Sequence, residues 1–280
     1  MTNEAQEFNG EIENKAKMLV TGVFGPEDVV VEMTHRRMPK NPELEKKIEE
    51  EWAPKAALGW FPGPCSRLED FDLKDDKLIL TVGDTDFREY TGSRDLATFR
   101  QYGFKCVSNP ISASSVIVTC DGKIIIGQKI SGDALGSIDA VGGYVHPEKD
   151  ADSQGVVDIF KAARREIIEE TPISEDEISQ LLCLGVSYEY TGLCHPVVSF
   201  IAVTPLTSDE IKNRESEELR LIAVEPEKVP DSSDEHYVQD VLKKHYPHIE
   251  PDGRISIALA RRWMSGKTQE KRIKRTIDQI

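Results

Sequence analysis

Three glutamates at helical spacing are the part of this sequence that most directly suggests chemistry. The segment 156–171 repeats its apolar residues with the period of an amphipathic helix. Glu166, Glu169 and Glu170 stand at positions i, i+3 and i+4, so their side chains share an arc of about 100° beside the apolar face. Crowded carboxylates repel one another unless cations neutralise them, and hard oxygen ligands suit Mg²⁺ or Mn²⁺. The pattern predicts a divalent metal site; the alternative is a solvated helix whose glutamates face water.

Neighbouring residues extend this metal-site hypothesis. Arg165 lies four residues before Glu169 and can pair with it, which would orient one carboxylate. Asp158, two turns earlier, falls at the edge of the same arc. Upstream, Gly142 and Gly143 follow a β-rich run, and glycines let a backbone carbonyl approach a metal ion or a phosphate. We therefore expect Arg165 as an orienting partner, and Asp158 and the Gly143 carbonyl as further candidate ligands.

The elements that must position these residues fall on either side of a seam at residues 108–112. Before the seam, alternation and helical period predict strands over 28–34, 67–71 and 77–82, a helix over 42–53 that Pro54 ends, an irregular segment over 86–92 and a short helix over 96–102. After it, they predict strands over 115–120, 124–128, 138–141, 184–190, 196–204 and 219–224, and helices over 156–171, 209–214, 233–245 and 255–264.

Composition excludes several classes of protein. The 280 residues include 50 acidic and 35 basic side chains, a formal net charge of −15, which disfavours long nucleic acids as partners. No apolar run approaches the ~18–20 residues that span a bilayer, and the polar first residues do not form a secretory signal. Five cysteines without a CxxC pair fit reduced thiols, so we expect a cytoplasmic protein without a membrane partner. The oligomeric state stays open.

The acidic helix and its surroundings resemble the Nudix hydrolase signature, Gly-x5-Glu-x7-Arg-Glu-U-x-Glu-Glu-x-Gly-U, where U is aliphatic. Residues 165–173, REIIEETPI, match every specified position except the glycine, which is Pro172. Five residues separate Gly142 from Glu148, as in the signature. Sixteen residues then lie between Glu148 and Arg165 instead of seven, so the upstream glutamate of the motif is either Glu148 or Asp158.

Short sequence segments dispersed along residues 27–265 are similar to the UDP-glucose/UDP-galactose pyrophosphatase branch of this superfamily. They include Trp52, the segment 61–68, the segment 80–92 and the hairpin over 111–128. The resemblance implies an α/β fold, a Nudix-type α/β/α sandwich with a mixed sheet, preceded by a smaller α+β N-terminal domain. We expect four divisions: a flexible leader over residues 1–25, the N-terminal domain over 26–108, the Nudix domain over 109–265 and a basic tail over 266–280. The tail is expected to be a solvated helix.

The resemblance also implies an activity. UDP-glucose or UDP-galactose would be hydrolysed to UMP and a sugar 1-phosphate, with Mg²⁺ or Mn²⁺ held by the three helical glutamates and the Gly142 or Gly143 carbonyl. Glu217, just before a strand, is a candidate additional ligand; the alternative is an exposed acidic turn. Other readings stay open: ADP-ribose or another nucleoside diphosphate derivative as substrate, a non-catalytic ligand-binding module with the same fold, or an acidic protein-interaction domain.

The sequence segments before the seam also contain candidate residues for contact with the substrate. An aromatic ring could stack on a base and an arginine could meet a phosphate; the residues concerned are Phe61, Arg67, Asp84, Arg88 and Tyr90. The alternative is that these residues shape the contact between the two domains. His195 could act as a base or as a lip residue of the cleft, and the alternative is an ordinary histidine in a turn.

Overall fold

The computed structural model describes residues 16–130, 135–190, 194–214, 216, 219–232, 234–267, 271–274 and 277. Its strands, in chain order, are β1 Lys17–Phe24, β2 Val29–Met33, β3 Pro64–Lys74, β4 Lys77–Asp86, β5 Ser112–Val118, β6 Ile124–Lys129, β7 Ile138–Asp139, β8 Val141–Tyr144, β9 Gln180–Glu189, β10 His195–Val203, β11 Leu219–Val224 and β12 Arg272–Ile273. Its α-helices are α1 Pro42–Ala57, α2 Phe87–Ser93, α3 Leu96–Tyr102, α4 Ile159–Glu170, α5 Ser208–Lys212, α6 Glu235–His245 and α7 Pro251–Met264.

The larger sheet is mixed and carries most of the chain's strands. Its order is β11-β6-β5-β10-β9-β1-β12, with β7 on β6 and β8 on β5. Strands β5 and β10 are parallel, and the other neighbouring pairs are antiparallel. The predicted hairpin over β5 and β6 is present, with Gly122 at φ 77° in its turn.

Helices cover both faces of this sheet. Along β5, Ile117 packs into the core that contains Phe160 and Ile167 of α4, while Val116 packs into the core that contains Leu259 of α7. The alternation follows from the two-residue period of a strand, which sends successive side chains to opposite faces. The α/β/α sandwich with a mixed sheet is confirmed.

A second, three-stranded sheet has the order β2-β4-β3, with β2 parallel to β4 and β3 antiparallel to it. Its buried residues Leu68 and Leu80 belong to the same core as Phe160, so this sheet packs on the α4 side of the molecule. Together with α1, α2 and α3 it forms the smaller α+β unit predicted for the first half. The boundary between the two units at residues 108–109 stays a prediction.

The structure corrects several sequence-based predictions about elements. The flexible leader is wrong from residue 16 onwards, because Lys17–Phe24 form buried strand β1 beside β9. Residues 272–273 of the tail pair with β1 as β12 instead of forming a helix. The segment 86–92 is not irregular: Asp86 accepts a hydrogen bond from the Glu89 amide and caps helix α2.

Helix α1 also continues past Pro54 to Ala57, where the sequence predicted an end near residue 53. A proline removes one backbone hydrogen bond, but the buried residues Leu44, Ile48 and Trp52 hold the helix against the rest of the N-terminal unit. Among the described residues, no helix combines the length and apolar character needed to cross a lipid bilayer.

Candidate metal and diphosphate site

Helix α4 is fixed at both ends by side-chain caps. At the N-terminus, the Asp158 carboxylate accepts hydrogen bonds from the amides of Phe160 and Lys161, at 2.8 and 3.1 Å. At the C-terminus, Thr171 is extended because it precedes Pro172, and its hydroxyl donates to the Ile167 carbonyl at 2.6 Å. The helix therefore starts three residues later than predicted, and Pro172 ends it without a glycine.

Arg165 is the centre of the charge network on this helix. Its Nη1 donates to Glu166 Oε1 at 2.6 Å and to Glu169 Oε2 at 3.0 Å, so one nitrogen joins two of the three glutamates. Its Nη2 also donates to the Tyr144 carbonyl at 3.2 Å, which ties the helix to strand β8. The predicted pairing with Glu169 is present, and Glu166 shares it.

The strongest partner of Arg165 is Asp150, a residue that the sequence analysis missed. Its carboxylate accepts from Nε at 2.7 Å and from Nη2 at 2.9 Å, a bidentate pair, and also from the His146 amide at 2.7 Å. Asp150 has 0% of its surface exposed, and its hydrogen bonding raises the pKa of Arg165. This buried carboxylate fixes the direction of the guanidinium.

The loop insertion explains why spacing could not identify Asp150. The loop folds back on itself, with the Asp158 amide donating to the Asp150 carbonyl at 2.8 Å and the Asp152 amide donating to the Val156 carbonyl at 2.8 Å. Sequence reasoning weighed Glu148 and Asp158 as the upstream acid. The structure shows Glu148 exposed and Asp158 as the helix cap, and it places Asp150 opposite Arg165. The loop carried no motif that distinguished Asp150 from its acidic neighbours.

Glu166 is buried directly over strand β8. A side chain at Gly143 would bring its Cβ within 2.6 Å of Glu166 Oε1, so the glycine provides the space that this carboxylate occupies. Burial raises the pKa of Glu166, and the neighbouring Arg165 opposes that shift. Removal from water makes the carboxylate a better partner for a cation than it would be at the surface.

The other two glutamates differ in their contacts and exposure. Glu170 Oε2 accepts a hydrogen bond from the Gly142 amide at 3.0 Å. The Glu169 side chain has 51% of its surface exposed and borders solvent. Gly142 is itself required by packing, because a Cβ there would lie 2.0 Å from the Ala113 carbonyl oxygen. Glu166 and Glu170 therefore lie against the bare backbone of residues 142–143, and Glu169 is joined to Glu166 through Arg165.

The oxygen ligands at this site suit a hard divalent cation, although they do not form a complete coordination sphere. Glutamate oxygens and a backbone carbonyl are the ligand types that Mg²⁺ and Mn²⁺ prefer. Across the part of the chain that the structure describes, no three His, Cys, Asp or Glu side chains converge into a metal-binding group. Arg165 neutralises Glu166 and Glu169 in the arrangement seen. The roles of Glu166, Glu169, Glu170 and Gly143 as metal ligands stay predictions, and Glu217 lies outside the described residues.

Three of the N-terminal candidates for substrate contact make protein contacts instead. Arg67 is buried and donates to the carbonyls of Lys105 and Val107. Arg88 forms an ion pair with Glu49 of α1, and Asp84 lies 3.5 Å from His35. These contacts lie within the N-terminal unit, so both the substrate role and its alternative, a contact between the two domains, stay predictions for these residues. Phe61 is 75% exposed, and its role stays a prediction.

Tyr90 and His195 do come together, on the far side of strand β8. The Tyr90 ring centroid lies 5.4 Å from that of Tyr144 and 6.1 Å from that of His195. His195 is the first residue of β10 and is 3% exposed, so it is not a turn histidine. Tyr144 connects this aromatic group to the carboxylates, because its backbone carbonyl accepts from Arg165.

Comparisons with known proteins give a distant relative and several solved structures of similar fold. The sequence matches no protein-family model. It is 26% identical over 224 aligned residues to the mouse uridine diphosphate glucose pyrophosphatase NUDT22, covering 69% of this chain and 72% of the mouse protein. This similarity agrees with the Nudix hydrolase predicted from the helix motif.

Solved Nudix structures are less similar in sequence to this chain than the mouse protein is. The Nudix domain of Shewanella oneidensis NrtR, solved with ADP ribose, has a TM-score of 0.40 and 15% identity over 56% of this chain and 89% of that one. A Nudix hydrolase from Nitrosomonas europaea has a TM-score of 0.37 and 16% identity over 57% of this chain and 92% of that one. The relationship therefore relies on the helix motif and on the mouse relative.

Proposed function

We propose that the protein is a metal-dependent pyrophosphohydrolase that cleaves the diphosphate of a nucleoside diphosphate sugar, UDP-glucose or UDP-galactose, into UMP and a sugar 1-phosphate. The observation that carries the proposal is the cluster of three glutamates on α4, in which Glu166 and Glu170 lie against the bare backbone of residues 142–143 and Glu169 shares Arg165 with Glu166. The name of the mouse relative supports the choice of a UDP-sugar within the wider class of nucleoside diphosphate derivatives.

The chain's own residues would prepare the site for an anionic diphosphate. Glu166, Glu169 and Glu170 would hold the cation, with the Gly143 carbonyl as a further oxygen ligand. When bound, Mg²⁺ or Mn²⁺ supplies charge neutralisation of the diphosphate oxygens and activation of water. Without a cation, three carboxylates on a protein of net charge −15 repel such a substrate. Turnover should therefore depend strictly on the divalent ion.

Arg165 would act as a positioning residue in this scheme. Asp150 holds two of its nitrogens, and the remaining Nη1 aligns Glu166 and Glu169. A guanidinium fixed in this way keeps two carboxylates close together despite their repulsion. Cation binding then needs a change only in the Nη1 contacts, while the pair with Asp150 maintains the helix on the loop.

A substrate panel tests the proposal. The purified protein is incubated with Mg²⁺ and, separately, with UDP-glucose, UDP-galactose, ADP-ribose or diadenosine tetraphosphate, and the products are separated by ion-exchange chromatography. We expect UMP from both UDP-sugars and none after EDTA treatment. Cleavage of ADP-ribose alone would refute the UDP-sugar assignment and keep the wider class. No turnover of any of the four, with no Mg²⁺-dependent change in thermal stability, would refute the enzyme.

A further inference from the structure

The N-terminal unit carries a cleft of about 440 Å³, a volume within the range of small-molecule sites. Among the described residues, its lining includes none from α4 or from residues 142–144, so it is separate from the glutamate site. The chain has a net charge of −15, yet basic residues outnumber acidic ones here by four to two. The charged lining residues are Arg36, Arg37, Arg67, Lys105, Glu69 and Asp70.

The backbone around Arg36 forms one edge of the cleft and is fixed on strand β4. The Thr34 amide donates to the Val82 carbonyl at 2.8 Å, and the Asp84 amide donates to the Arg36 carbonyl at 2.9 Å. Gly83 makes this close approach possible, because a Cβ there would lie 2.1 Å from the Arg36 carbonyl oxygen. The cleft is therefore built on hydrogen-bonded backbone and keeps its shape without a ligand.

The buried wall of the cleft is Arg67 of β3, whose side chain is 4% exposed. Its Nη2 donates to the Lys105 carbonyl at 2.8 Å, and its Nε donates to the Val107 carbonyl at 3.4 Å. Its Nη1 makes no hydrogen bond within the described part of the chain; Glu69 Oε1, at 3.9 Å, is too distant for one. A buried cation with unsatisfied N–H groups costs stability unless an acceptor completes it. Nη1 is thus the part of the guanidinium left to bind an acceptor in the cleft.

The other arginines of the cleft already have counter-charges. Arg36 Nη2 lies 2.7 Å from Glu69 Oε2, so this carboxylate is neutralised at the edge of the cleft. Arg37 pairs with Asp86 and with Glu89. These ion pairs leave the free positive charge of the cleft to the remaining two basic residues.

Those two residues lie at the same end of the cleft, since the Lys105 carbonyl holds the Arg67 guanidinium. The Lys105 ammonium is exposed and forms no ion pair with the described residues. Burial lowers the pKa of Arg67, which the neighbouring Glu69 offsets only in part. One unpaired carboxylate, the exposed Asp70, stands against the two cations. This end of the cleft therefore attracts an anion.

The donors at this end suit a phosphate group better than a carboxylate. Arg67 Nη1 offers N–H groups from the buried wall, and Lys105 offers an ammonium at the rim. Thr81, on the neighbouring strand β4, adds a lining hydroxyl that forms no hydrogen bond with the described residues. A phosphate ester has three strong acceptor oxygens in a tetrahedral arrangement, whereas a carboxylate has two in a plane. A cleft of this size also has room for the small molecule that carries the phosphate.

We propose that this cleft is a second ligand site, which binds the phosphate group of a small molecule between Arg67 and Lys105. Binding there needs no divalent cation, because the protein itself supplies the positive charge. The inference goes beyond the proposed function and does not depend on it. Free phosphate and a phosphate ester share this chemistry, so the test includes both.

Isothermal titration calorimetry in EDTA at pH 7.5 tests the site, since EDTA removes any cation that could hold a phosphate at α4. The titrants are inorganic phosphate, glucose 1-phosphate and malonate, a dicarboxylate of similar charge. The wild type should bind one phosphate per chain, about tenfold or more tightly than malonate. Lys105→Gln should weaken phosphate binding about tenfold, as expected for the loss of one charge-assisted hydrogen bond. Lys244→Gln, an exposed lysine on α6, is the matched control and should stay within about twofold.

A second variant, Arg67→Lys, keeps the charge of the buried wall. A lysine lacks the planar fork that bonds to two carbonyls and to the ligand together, so phosphate binding should weaken by more than about tenfold. Thermal unfolding checks that each variant is folded. Lys105→Gln changes an exposed side chain and retains the backbone carbonyl, so it should unfold at the temperature of the wild type. If Arg67→Lys does not fold, Lys105→Gln decides the question.

The outcomes divide cleanly. Tighter binding of glucose 1-phosphate than of inorganic phosphate would support a phosphate ester as the ligand, and equal binding would support free phosphate. No phosphate binding by the wild type up to about 10 mM, or equal affinities in Lys105→Gln and Lys244→Gln, would refute the site. Malonate binding as tight as that of phosphate would refute the phosphate assignment. Each result holds whether or not the protein hydrolyses UDP-sugars, because no turnover is measured.

Discussion

The pair formed by Asp150 and Arg165 gives the sharpest prediction about this site. We consider Asp150→Asn, which keeps the shape of the side chain and removes its charge. Asp150 accepts three hydrogen bonds, two of them from Arg165. An amide retains only one oxygen, so its NH₂ group would face an N–H donor of Arg165 or of the backbone. The guanidinium would also lose the only fully buried counter-charge among its described contacts.

The magnitude follows from burial. Asp150 is fully buried and 18% of the Arg165 side chain is exposed, so solvent screens the pair weakly. Breaking a buried ion pair from one side costs about 3–5 kcal/mol. The network with Glu166 and Glu169 compensates part of this loss, so we expect about 3 kcal/mol. For a chain of this size that corresponds to a decrease in Tm of about 6–12 °C.

Differential scanning calorimetry measures this prediction, with Asp176→Asn as a control that should stay within about 0.5 kcal/mol of the wild type. The variant should also lose most of its activity, because Arg165 no longer holds Glu166 and Glu169 in place. A double-mutant cycle with Arg165→Met measures the interaction between the two side chains. The loss of stability in the double variant should be smaller than the sum of the losses in the two single variants. An Asp150→Asn protein with the Tm and the activity of the wild type would refute the positioning role.

Three further predictions concern neighbouring residues. Asp158→Ala should cost about 1 kcal/mol of stability as a lost helix cap but retain activity; complete loss of activity in a folded variant would instead indicate a metal ligand. Gly143→Ala should strongly reduce kcat/KM, because its Cβ would displace the Glu166 carboxylate, and unchanged kinetics would contradict that contact. Asp139→Asn should stabilise the protein more at pH 8 than at pH 4. The raised pKa of Asp139 means that the folded state binds the proton of this carboxyl more tightly than the unfolded state does, so its contribution to wild-type stability falls as pH rises. The variant has no such group and escapes this loss. Equal Tm differences between variant and wild type at both pH values would refute this prediction.

The helix motif was accessible from the sequence because its geometry is local. Positions i, i+3 and i+4 place Glu166, Glu169 and Glu170 on one arc, and the i,i+4 spacing brings Arg165 to Glu169 without reference to the rest of the fold. The α4 helix and most strands followed from periodicity for the same reason. The exceptions were segments held by distant partners, such as β1, whose place beside β9 depends on residues more than a hundred positions away.

Other parts of the site depend on contacts that spacing does not specify. Asp150 reaches Arg165 because an inserted loop closes on itself, and several acidic residues in that loop were equivalent on spacing alone. The aromatic group behind β8 joins Tyr90 of the N-terminal unit to His195 of β10, more than a hundred residues later. Tyr90 could be selected as a candidate, but its partners could not. The arginines selected with it, Arg67 and Arg88, are occupied by protein contacts that are equally long-range.

The central claim is that the carboxylates of α4 hold a divalent cation for diphosphate hydrolysis, and one measurement tests it most directly. ³¹P NMR follows UDP-glucose with Mg²⁺ and either the wild type, Glu169→Gln/Glu170→Gln, or the control Glu51→Gln from the exposed face of α1. We expect UMP and glucose 1-phosphate with the wild type and the control, and at most about a thousandth of that rate with the folded double variant. Hydrolysis by the double variant at the wild-type rate and with the same Mg²⁺ dependence would contradict the account.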